Sequence, residues 1–351
     1  MNPADDSGLE DDSQELFEHY HFVIDKGQHP IRIDKYLTAH IEGISRSRIG
    51  AAADAGYILS NGKAVKSSYQ VKPTDQVSIM MPYRRRGVEI KPENIPLDVV
   101  YEDDYILVIN KPAGLVVHPG HGNYSGTLVN AVAWHLGIRD AVEGDERMGV
   151  LVHRIDKNTS GLLVLAKNEE AQFGLYRQFF DHTIQRQYLA LVWGNISQDH
   201  GTINLYIGRD PNDRLRFKAY TEETQGRYAV THYRVLERFG YVTLVACRLE
   251  TGRTHQIRVH MNAIGHPLFN DDRYGGERTR QGALYAKFAA FVENCFKILP
   301  RHALHAETLG FTHPKTKEQM LFSAPLPSDF QEVLERWRRY ANGVGYHPSA
   351  S

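Results

Sequence analysis

A single carboxylate in a polar turn is the residue of this chain best placed to do chemistry. Asp156 is the only acid of residues 153–162 (HRIDKNTSGL), and apolar runs at 149–152 and 161–166 flank it. Such runs predict strands, so we expect the turn at the edge of a β-sheet, where a rigid scaffold presents side chains to a ligand. A carboxylate held there can serve as a nucleophile or a general base. Alternatively, Asp156 is a turn former whose side chain bonds nearby backbone.

The histidines and cysteines do not indicate a metal site. The most suggestive histidines are His255, His260 and His266, but the first two are five positions apart and do not form the i, i+4 pair of a zinc helix. Cys247 and Cys295 are far apart in sequence, which supports neither a disulfide framework nor a cysteine zinc site. We therefore expect no metal, and we expect both cysteines to be buried apolar residues.

The elements around Asp156 predict an α+β domain, which we assign to residues 97–345. Strand patterns cover residues 105–109, 186–194, 228–236, 241–249, 305–311 and 319–322. Helical patterns cover residues 127–136, 171–182, 254–264 and 328–340. Strands interrupted by a few helices, without strict βαβ alternation, indicate a mainly antiparallel sheet with flanking helices.

A small α/β domain is predicted at residues 29–82. Apolar residues recur near helical spacing over residues 33–41, and Ser45 can cap a second helix. Asn61-Gly62 between two short apolar runs is a strong signal for a two-residue hairpin. The order of these elements is two helices, a hairpin and a further strand.

Charge is distributed unevenly along the chain. The formal net charge is -1, but residues 1–18 hold seven acids and no Lys or Arg, so the remainder carries about +6. We expect residues 1–28 to be an acidic, disordered tail. Residues 83–96 contain two prolines and no periodicity, which indicates a linker. Most of the excess positive charge lies between Lys26 and Arg86. We expect a polyanion to contact the protein first in this region.

Length and composition fit a soluble protein of two or three domains. The 351 residues are 42% hydrophobic and 24% charged, which allows a sizeable core. The apolar runs are strand-sized and shorter than the roughly 18 residues that a spanning helix needs. The acidic N-terminus also lacks the layout of a signal peptide. We expect a cytoplasmic protein with no membrane partner.

Four stretches of the larger domain resemble the motifs of the RluA-type pseudouridine synthases. They are residues 153–162, 186–194 and 249–260, and residues 110–115 with His118-Pro119 after them. The resemblance spans about residues 97–327 and is closest to members that also carry an S4-type RNA-binding domain, which the small domain resembles. It implies an isomerase that converts uridine to pseudouridine in RNA without a cofactor. One departure is Asn270, which stands where the family commonly has glycine.

The resemblance assigns roles to three residues. Asp156 matches the catalytic aspartate, Tyr188 the tyrosine that lies against the target uracil, and Arg258 the arginine that pairs with the aspartate. An arginine beside a carboxylate favours its ionised form and fixes its direction. Whether Asp156 acts as a nucleophile or as a base toward C2′ is not decided by the sequence.

A uridine in structured RNA must leave its stack to reach such a pocket, so the resemblance implies base flipping. Arg154 matches the family's arginine that takes part in this rearrangement; alternatively, it pairs with a structural carboxylate. Lys111 and Arg253 are further candidates for phosphate contacts. In the small domain the candidate RNA-binding residues are Arg32, Lys35, Arg46, Arg48 and Lys66, unless they form only a solvated charged surface. Members with this layout act on large-subunit ribosomal RNA, which is the expected partner.

Two other functions compete with this one. A uridine-directed glycosidase would need a second acid–base carboxylate, and none accompanies Asp156 locally. A non-catalytic RNA-binding protein would use the S4-like domain alone and would tolerate a degenerate site, whereas Asp156, Tyr188 and Arg258 are all present. The sequence specifies neither the modified uridine nor the oligomeric state.

Overall fold

The small N-terminal domain is built from two helices and short antiparallel strands. The computed structural model describes residues 17–41, 44–81, 89–118, 123, 125–139, 141–142, 150–278 and 286–343 of the chain. In the small domain the elements are β1 (Phe17–Val23), β2 (Ile31–Arg32), α1 (Ile33–His40), α2 (Arg46–Asp54), β3 (Ile58–Ser60), β4 (Lys63–Ala64), β5 (Gln70–Val71) and β6 (Gln76–Met81). Strands β1-β6-β3-β4 form one sheet, and β2 pairs with β5.

Local signals of the sequence account for the two helices and the hairpin. Ser45 caps α2, because its side-chain oxygen accepts from the backbone N–H of Arg48 at 3.2 Å. Asn61 and Gly62 have φ of 50° and 77° and join β3 to β4. Positive φ at both turn positions is what a two-residue hairpin requires, so these predictions are confirmed.

Strand β1 lies where the sequence predicted a disordered tail. It pairs antiparallel with β6 over its whole length. Phe22 also packs edge-on against Tyr36 of α1, with ring centroids 6.1 Å apart. The predicted tail is therefore wrong for residues 17–23, because this segment is ordered by pairing with a strand that is distant in sequence. The acidic residues 1–16 lie outside the described residues.

The larger domain is organised on one extended sheet. Its strands are β7 (Glu89–Ile90), β8 (Val99–Glu102), β9 (Ile106–Lys111), β10 (Ala141–Val142), β11 (Val150–Leu151), β12 (Ser160–Ala166), β13 (Gln185–Trp193), β14 (His200–Asp210), β15 (Asp213–Tyr220), β16 (Arg227–Arg238), β17 (Val242–Leu249), β18 (Leu304–Thr312) and β19 (Gln319–Ser323). Its α-helices are α3 (Leu128–His135), α4 (Glu169–Phe180), α5 (Gln256–Ala263), α6 (Ala286–Ile298) and α7 (Ser328–Gly343). Strand β7 pairs with β10 and so corrects the middle of the predicted linker, at residues 89–90. Residues 83–88 of the linker lie outside the described ranges.

The large sheet confirms the predicted α+β class. Its strand order is β15-β14-β16-β17-β13-β18-β12-β9-β8, with β11 beside β12 and β19 beside β18. Pairing is antiparallel except between β12 and β18, which run parallel. One hydrophobic cluster covers the face that carries α5, and another joins α6 and α7 to the opposite face. Cys247 and Cys295 are buried in these clusters as free thiols, as predicted.

The small domain packs directly on the larger one through α2 and α4. Their buried apolar residues belong to one cluster, in which Tyr57 lies against Phe173 with ring centroids 5.6 Å apart. At the edge of this contact Arg48 Nε lies 2.5 Å from Glu169 Oε1. The two domains are therefore joined by a packed interface as well as by the chain.

Among the helices in the described ranges, none combines the length and the apolar character needed to cross a membrane.

Candidate active site

The loop that carries Asp156 connects β11 to β12, and backbone hydrogen bonds fix its course. Thr159 N donates to Asp156 O at 3.0 Å, which closes the turn. Gly114 N donates to Lys157 O at 2.9 Å and ties the turn to the end of β9. The backbone is thus a tight turn, but the carboxylate of Asp156 points toward α5 and not back to its own turn.

Lys111 supports this loop from inside the protein. Its side chain is fully buried, and Nζ donates to Pro112 O, Leu115 O and Lys157 O, each at 2.9 Å. A buried ammonium needs such oxygen partners, because it has lost the water that would solvate its charge. The prediction that Lys111 contacts RNA phosphates is therefore corrected: it anchors the loop that carries Asp156.

Arg301 holds the next peptide of the loop and was not singled out by the sequence. Nη1 donates to Asn158 O at 3.1 Å, while Nε and Nη2 donate to the two oxygens of Asp329 at 2.9 and 3.0 Å. Asp329 lies in the first turn of α7, so this arginine connects the loop to the C-terminal helix. Partners 143 and 28 residues away cannot be read from local spacing.

Arg258 is clamped by Asp271 and directed at Asp156. Nε and Nη2 donate to Asp271 Oδ2 and Oδ1 at 2.8 and 2.9 Å, and Nη1 donates to Asp156 Oδ2 at 3.0 Å. Asp271 is 0% exposed and Arg258 is 5% exposed. Because a two-point guanidinium–carboxylate pair has one favoured geometry, the third nitrogen is fixed in direction. The structure thus brings together the two residues that were predicted to pair and adds Asp271.

Side-chain hydrogen bonds at the start of α5 and in the loop after it fix the position of this helix. Gln256, the first residue of α5, accepts from Thr251 Oγ1 at 2.8 Å and donates to Val230 O at 2.9 Å. Asn270 has φ of 56° and donates Nδ2 to Leu299 O at 2.6 Å. Asparagine tolerates this left-handed conformation better than most residues, which explains how it replaces the glycine common in the resembling family. The substitution leaves the clamp of Arg258 intact.

Tyr188 and Asp156 line one pocket of about 690 Å³, a volume that includes its open mouth. Tyr188 is on β13 and is 7% exposed. Burial raises the pKa of its phenol, so the hydroxyl is neutral. Arg154 and Arg253, two candidates for RNA contacts, also line this pocket. The apolar wall consists of Ile155, Phe179, Leu249, Ile257 and Leu304.

The charges around Asp156 keep it ionised. Burial raises its pKa, but His255, Arg258, His302 and Arg154 act in the opposite sense, and the result lies well below the ordinary value. Burial also lowers the pKa of both His255 and His302 to about 3, so these histidines are neutral near pH 7. The positive charge beside Asp156 at that pH therefore comes from the two arginines.

Two of the predicted RNA-binding residues of the small domain are organised by a buried acid. Asp34 is 4% exposed and accepts from Arg32 Nε and Nη2 at 3.1 and 2.9 Å and from Arg46 Nη2 at 2.9 Å. The hydrogen bond from Arg32 is the main cause of a lowered pKa at Asp34. Both arginines keep much of their surface in solvent, and Lys35 and Lys66 are exposed.

Arg48 does not belong to this exposed set. Its ion pair with Glu169 of α4 places the guanidinium in the interface between the domains, with 23% of the side chain exposed. The prediction of an RNA contact is corrected to a domain contact, because the partner became visible only once the two domains were packed together.

Metal-binding geometry is absent from the part of the chain that the structure describes, since no three His, Cys, Asp or Glu side chains there are grouped to hold an ion. Of the described residues that line the pocket, Asp156 is also the only acid. The site therefore offers one ionised, oriented carboxylate beside an aromatic ring and several guanidinium groups. Such a set can attack or deprotonate a sugar while it holds a flat base and phosphates.

Comparison with known proteins gives two family matches within the chain. A family described as RNA pseudouridylate synthase matches residues 105–263, and a family described as S4 domain matches residues 31–77. The first match contains Asp156, Tyr188 and Arg258. The second lies within the small domain.

Relatives similar to the whole chain carry related names. An uncharacterized RNA pseudouridine synthase of Chlorobaculum parvum is 44% identical over 319 residues, which are 90% of this chain and 96% of the relative. The protein of Zymomonas mobilis named ribosomal large subunit pseudouridine synthase D is 42% identical and covers 87% of this chain and 93% of its own length. A protein of Nitrosomonas europaea with the same name is 42% identical and covers 88% of this chain and 85% of its own length.

Among solved structures, the human RNA Pseudouridylate Synthase Domain Containing 1 is similar in fold. It has a TM-score of 0.52 at 24% identity and covers 74% of this chain and 98% of its own. The human RNA Pseudouridylate Synthase Domain Containing 4 has a TM-score of 0.53 at 23% identity and covers 68% of this chain and 92% of its own.

Proposed function

Because this chain belongs to the RNA pseudouridine synthase family, we propose that it isomerises specific uridines of large-subunit ribosomal RNA with Asp156 as the catalytic carboxylate. The observation that carries the assignment of Asp156 is its contact with Arg258, which the buried Asp271 holds in place at 3.0 Å from the carboxylate. Support for the RNA class comes from the relatives named ribosomal large subunit pseudouridine synthase D.

The isomerisation breaks the bond from N1 to C1′, turns the uracil, and joins C5 to C1′. C5 then loses its proton and N1 gains one, so the nucleotide keeps its composition. Both bonds lie within one nucleotide, so the base never needs to leave the pocket. An ionised Asp156 can attack C1′ as a nucleophile or remove a proton from C2′ as a base. Both routes need the charged form of the carboxylate, and Arg258 and Arg154 stabilise that form.

Tyr188 would hold the uracil through its ring face while the base turns. The apolar wall around it would exclude water, which otherwise could trap the cleaved sugar as a hydrolysis product. The target uridine would have to leave its stack first. Arg154 lines the pocket beside Asp156, and a guanidinium can stack on neighbouring bases while it pairs with a phosphate. We assign Arg154 that role in base flipping.

A glycosidase is less well supported by the same geometry. Hydrolysis of a glycosidic bond generally uses two carboxyl groups on opposite sides of the bond. Asp156 is the single acid among the described residues of the pocket. The arrangement therefore favours a reaction in which the sugar and base are rejoined.

The proposed function is tested by mapping pseudouridines in cellular RNA with and without the gene. We expect one or more sites in large-subunit ribosomal RNA to disappear in the deletion strain. They should return with the wild-type chain and not with Asp156→Asn. The same variant should still bind ribosomal RNA within about tenfold of wild type, because the carboxylate adds little to electrostatic docking. An unchanged map would contradict the ribosomal substrate, and rescue by Asp156→Asn would contradict the catalytic residue.

A further inference from the structure

His255 lies beside Asp156 and takes part in no step of the mechanism proposed above. It is 6% exposed, and its Nε2 lies 4.0 Å from Asp156 Oδ2, the oxygen that also accepts from Arg258 Nη1. Within the part of the chain that the structure describes, no hydrogen bond reaches Asp156 Oδ1. Both nitrogens therefore lie at one end of the carboxylate and leave its other end to the substrate.

Backbone conformation and packing fix the direction of the His255 ring. The residue precedes α5 and has φ of 56° and ψ of 21°, in the left-handed region. Most residues with a Cβ disfavour this region, and they keep such a conformation where the surrounding structure holds it. The ring also packs edge-on against Phe217, with centroids 5.7 Å apart. The imidazole is thus held in one orientation beside Asp156.

The hydrogen bonds of Tyr274 determine which ring nitrogen of His255 carries the proton. Tyr274 Oη accepts from the backbone N–H of Phe217 at 3.1 Å and lies 2.8 Å from His255 Nδ1. Burial raises the pKa of Tyr274 to about 12, so the hydroxyl keeps its own proton. Because a backbone N–H cannot accept, Nδ1 is the acceptor that the described residues offer to this proton. Nδ1 therefore accepts and carries no proton itself.

The other ring nitrogen of His255 is consequently a neutral donor. Burial lowers the pKa of the ring to about 3, so the ring holds a single proton near pH 7, and this proton is on Nε2. Nε2 is the nitrogen that lies near Asp156. The fold thus presents an N–H group to the carboxylate without adding a charge to the pocket.

We propose that His255 is a positioning residue of the isomerase: Tyr274 fixes its proton on Nε2, and this N–H binds Asp156 Oδ2 when the nucleotide is in place. The inference rests on the proposed function, since it takes Asp156 as the catalytic carboxylate. A distance of 4.0 Å is longer than a hydrogen bond, but such contacts are often long in a free enzyme and tighten when the substrate binds. Two donors on Oδ2 then set the plane of the carboxylate, and Oδ1 faces the sugar.

The first test measures the tautomer of His255 in the free protein, labelled with nitrogen-15 in its histidines. Long-range proton–nitrogen correlation spectra distinguish the two ring nitrogens, and His255→Gln identifies the signals of His255 by their loss. We expect a neutral ring with its proton on Nε2 at pH 7. Tyr274→Phe removes the hydroxyl but keeps the ring, so it should yield a mixture of both tautomers. Tyr220→Phe is the control, because the Tyr220 hydroxyl donates to the backbone oxygen of Arg209 and not to a histidine.

The second test compares two replacements of His255 that differ in reach. The amide nitrogen of glutamine can take the place of Nε2, whereas that of asparagine ends near the position of Nδ1. We expect single-turnover pseudouridine formation on unmodified, transcribed large-subunit ribosomal RNA to fall roughly 10- to 100-fold in His255→Asn and by a smaller factor in His255→Gln. RNA affinity should stay within about threefold for both variants, because His255 is buried and phosphate contacts dominate the affinity.

A role of the His255 backbone alone predicts the opposite order of the two variants. Asparagine adopts the left-handed conformation more readily than glutamine, so it would then be the better replacement. The order of the two rates therefore separates a side-chain donor from a residue that only shapes the start of α5.

The inference is overturned if the ring of wild type carries its proton on Nδ1, if His255→Asn is at least as fast as His255→Gln, or if both variants lose rate and affinity by the same factor. Failure of the proposed function looks different. In that case wild type forms no pseudouridine, or Asp156→Asn retains turnover, whereas the tautomer is measured without RNA and is unaffected.

Discussion

Asp271 decides where Arg258 points, and Arg258 in turn favours the charged form of Asp156. Burial opposes the charge on Arg258, but Asp271 and Asp156 raise its pKa above the ordinary value. Burial likewise raises the pKa of Asp271, and Arg258 more than reverses this effect. The three groups therefore stay ionised together although they are buried. Removing any one of them leaves a buried charge without an oppositely charged partner that stabilises it.

For Asp271→Asn we predict a fall in kcat of roughly 10- to 100-fold, because an error of about 1 Å in a positioning group can reduce the rate by that much. RNA affinity should stay within about threefold, since Asp271 is fully buried and cannot meet the substrate. Single-turnover rates and filter binding on the same RNA separate the two effects. Asp272→Asn is the control, because Asp272 is exposed and adjacent in sequence. Equal losses of rate and affinity would show a general structural defect.

For Arg258→Ala we predict a large loss of rate and an altered pH profile. Asp156 has a pKa below its ordinary value, so the activity that needs its ionised form is present at neutral pH and is lost only as the pH falls through that low pKa. Without Arg258, burial raises the pKa of Asp156, and the acid limb of the residual activity should move to higher pH. Single-turnover rates across pH report this limb. An acid limb at the wild-type position would contradict the electrostatic role.

At the scale of elements, the loop that carries Asp156 is held by two buried cations, which bind successive backbone carbonyls. Lys111 binds Lys157 O, and Arg301 binds Asn158 O and Asp329 of α7. The C-terminal helix thereby contributes to the position of Asp156 without lining the pocket. A loop that is fixed at two consecutive peptides presents its carboxylate in one orientation.

For Arg301→Gln we predict destabilisation by about 2 kcal/mol or more. Breaking a fully buried ion pair costs about 3–5 kcal/mol, and the value here is reduced because the side chain of Asp329 is 30% exposed. Urea unfolding measures the change. Arg336→Gln removes an exposed i, i+4 pair with Glu332 on the same helix and should cost only about 0.3–0.5 kcal/mol. Similar costs for both variants would contradict the anchoring role of Arg301.

The sequence predicted an element correctly where the residues that determine it are neighbours in the chain. The Ser45 cap, the Asn61-Gly62 turn and the α5 helix follow from neighbouring residues, and the pairing of Arg258 with Asp156 followed from the family resemblance. The hairpin β14–β15 and helix α6 were not predicted. Strand β1 was missed because its partner β6 lies more than fifty residues away and supplies most of its order.

The side-chain roles that the sequence got wrong depend on tertiary burial. Lys111 was predicted to contact RNA phosphates, and Arg48 was predicted to follow a phosphate backbone along the small domain. The fold instead surrounds Lys111 with carbonyl oxygens and places Arg48 against Glu169. Asp271 was not identified from the sequence, because nothing in the spacing of the residues indicates that its side chain binds Arg258. Partner choice at these positions is decided by packing.

At the scale of the whole molecule, the packed interface between the domains divides the basic residues of the small domain into two groups. Arg48 stabilises the interface through Glu169, while Lys35 and Lys66 remain exposed to a polyanion. Deleting the small domain would uncover apolar residues such as Phe173 on α4. Point variants are therefore the cleaner test of its role in RNA binding.

For Lys35→Ala and Lys66→Ala we predict weaker binding of ribosomal RNA and a flatter salt dependence. Each lost phosphate contact should reduce the slope of log affinity against log salt by about 0.7–0.9. Arg48→Ala should leave that slope unchanged and lower the thermal stability instead. Binding titrations at several salt concentrations decide between the two groups. A reduced slope for Arg48→Ala would return this residue to the RNA-binding surface.

Helix α4 connects the two places where RNA would be held. Phe173 belongs to the cluster shared with the small domain. Phe179, less than two turns further along the same helix, lines the pocket that contains Asp156. A flexible tether would let the two sites adopt many separations, whereas a shared helix sets one. If the small domain binds RNA, this fixed separation would limit modification to uridines at a set distance from the RNA feature that the small domain binds. We then expect an insertion in the RNA between the two features to abolish modification even if both features are intact.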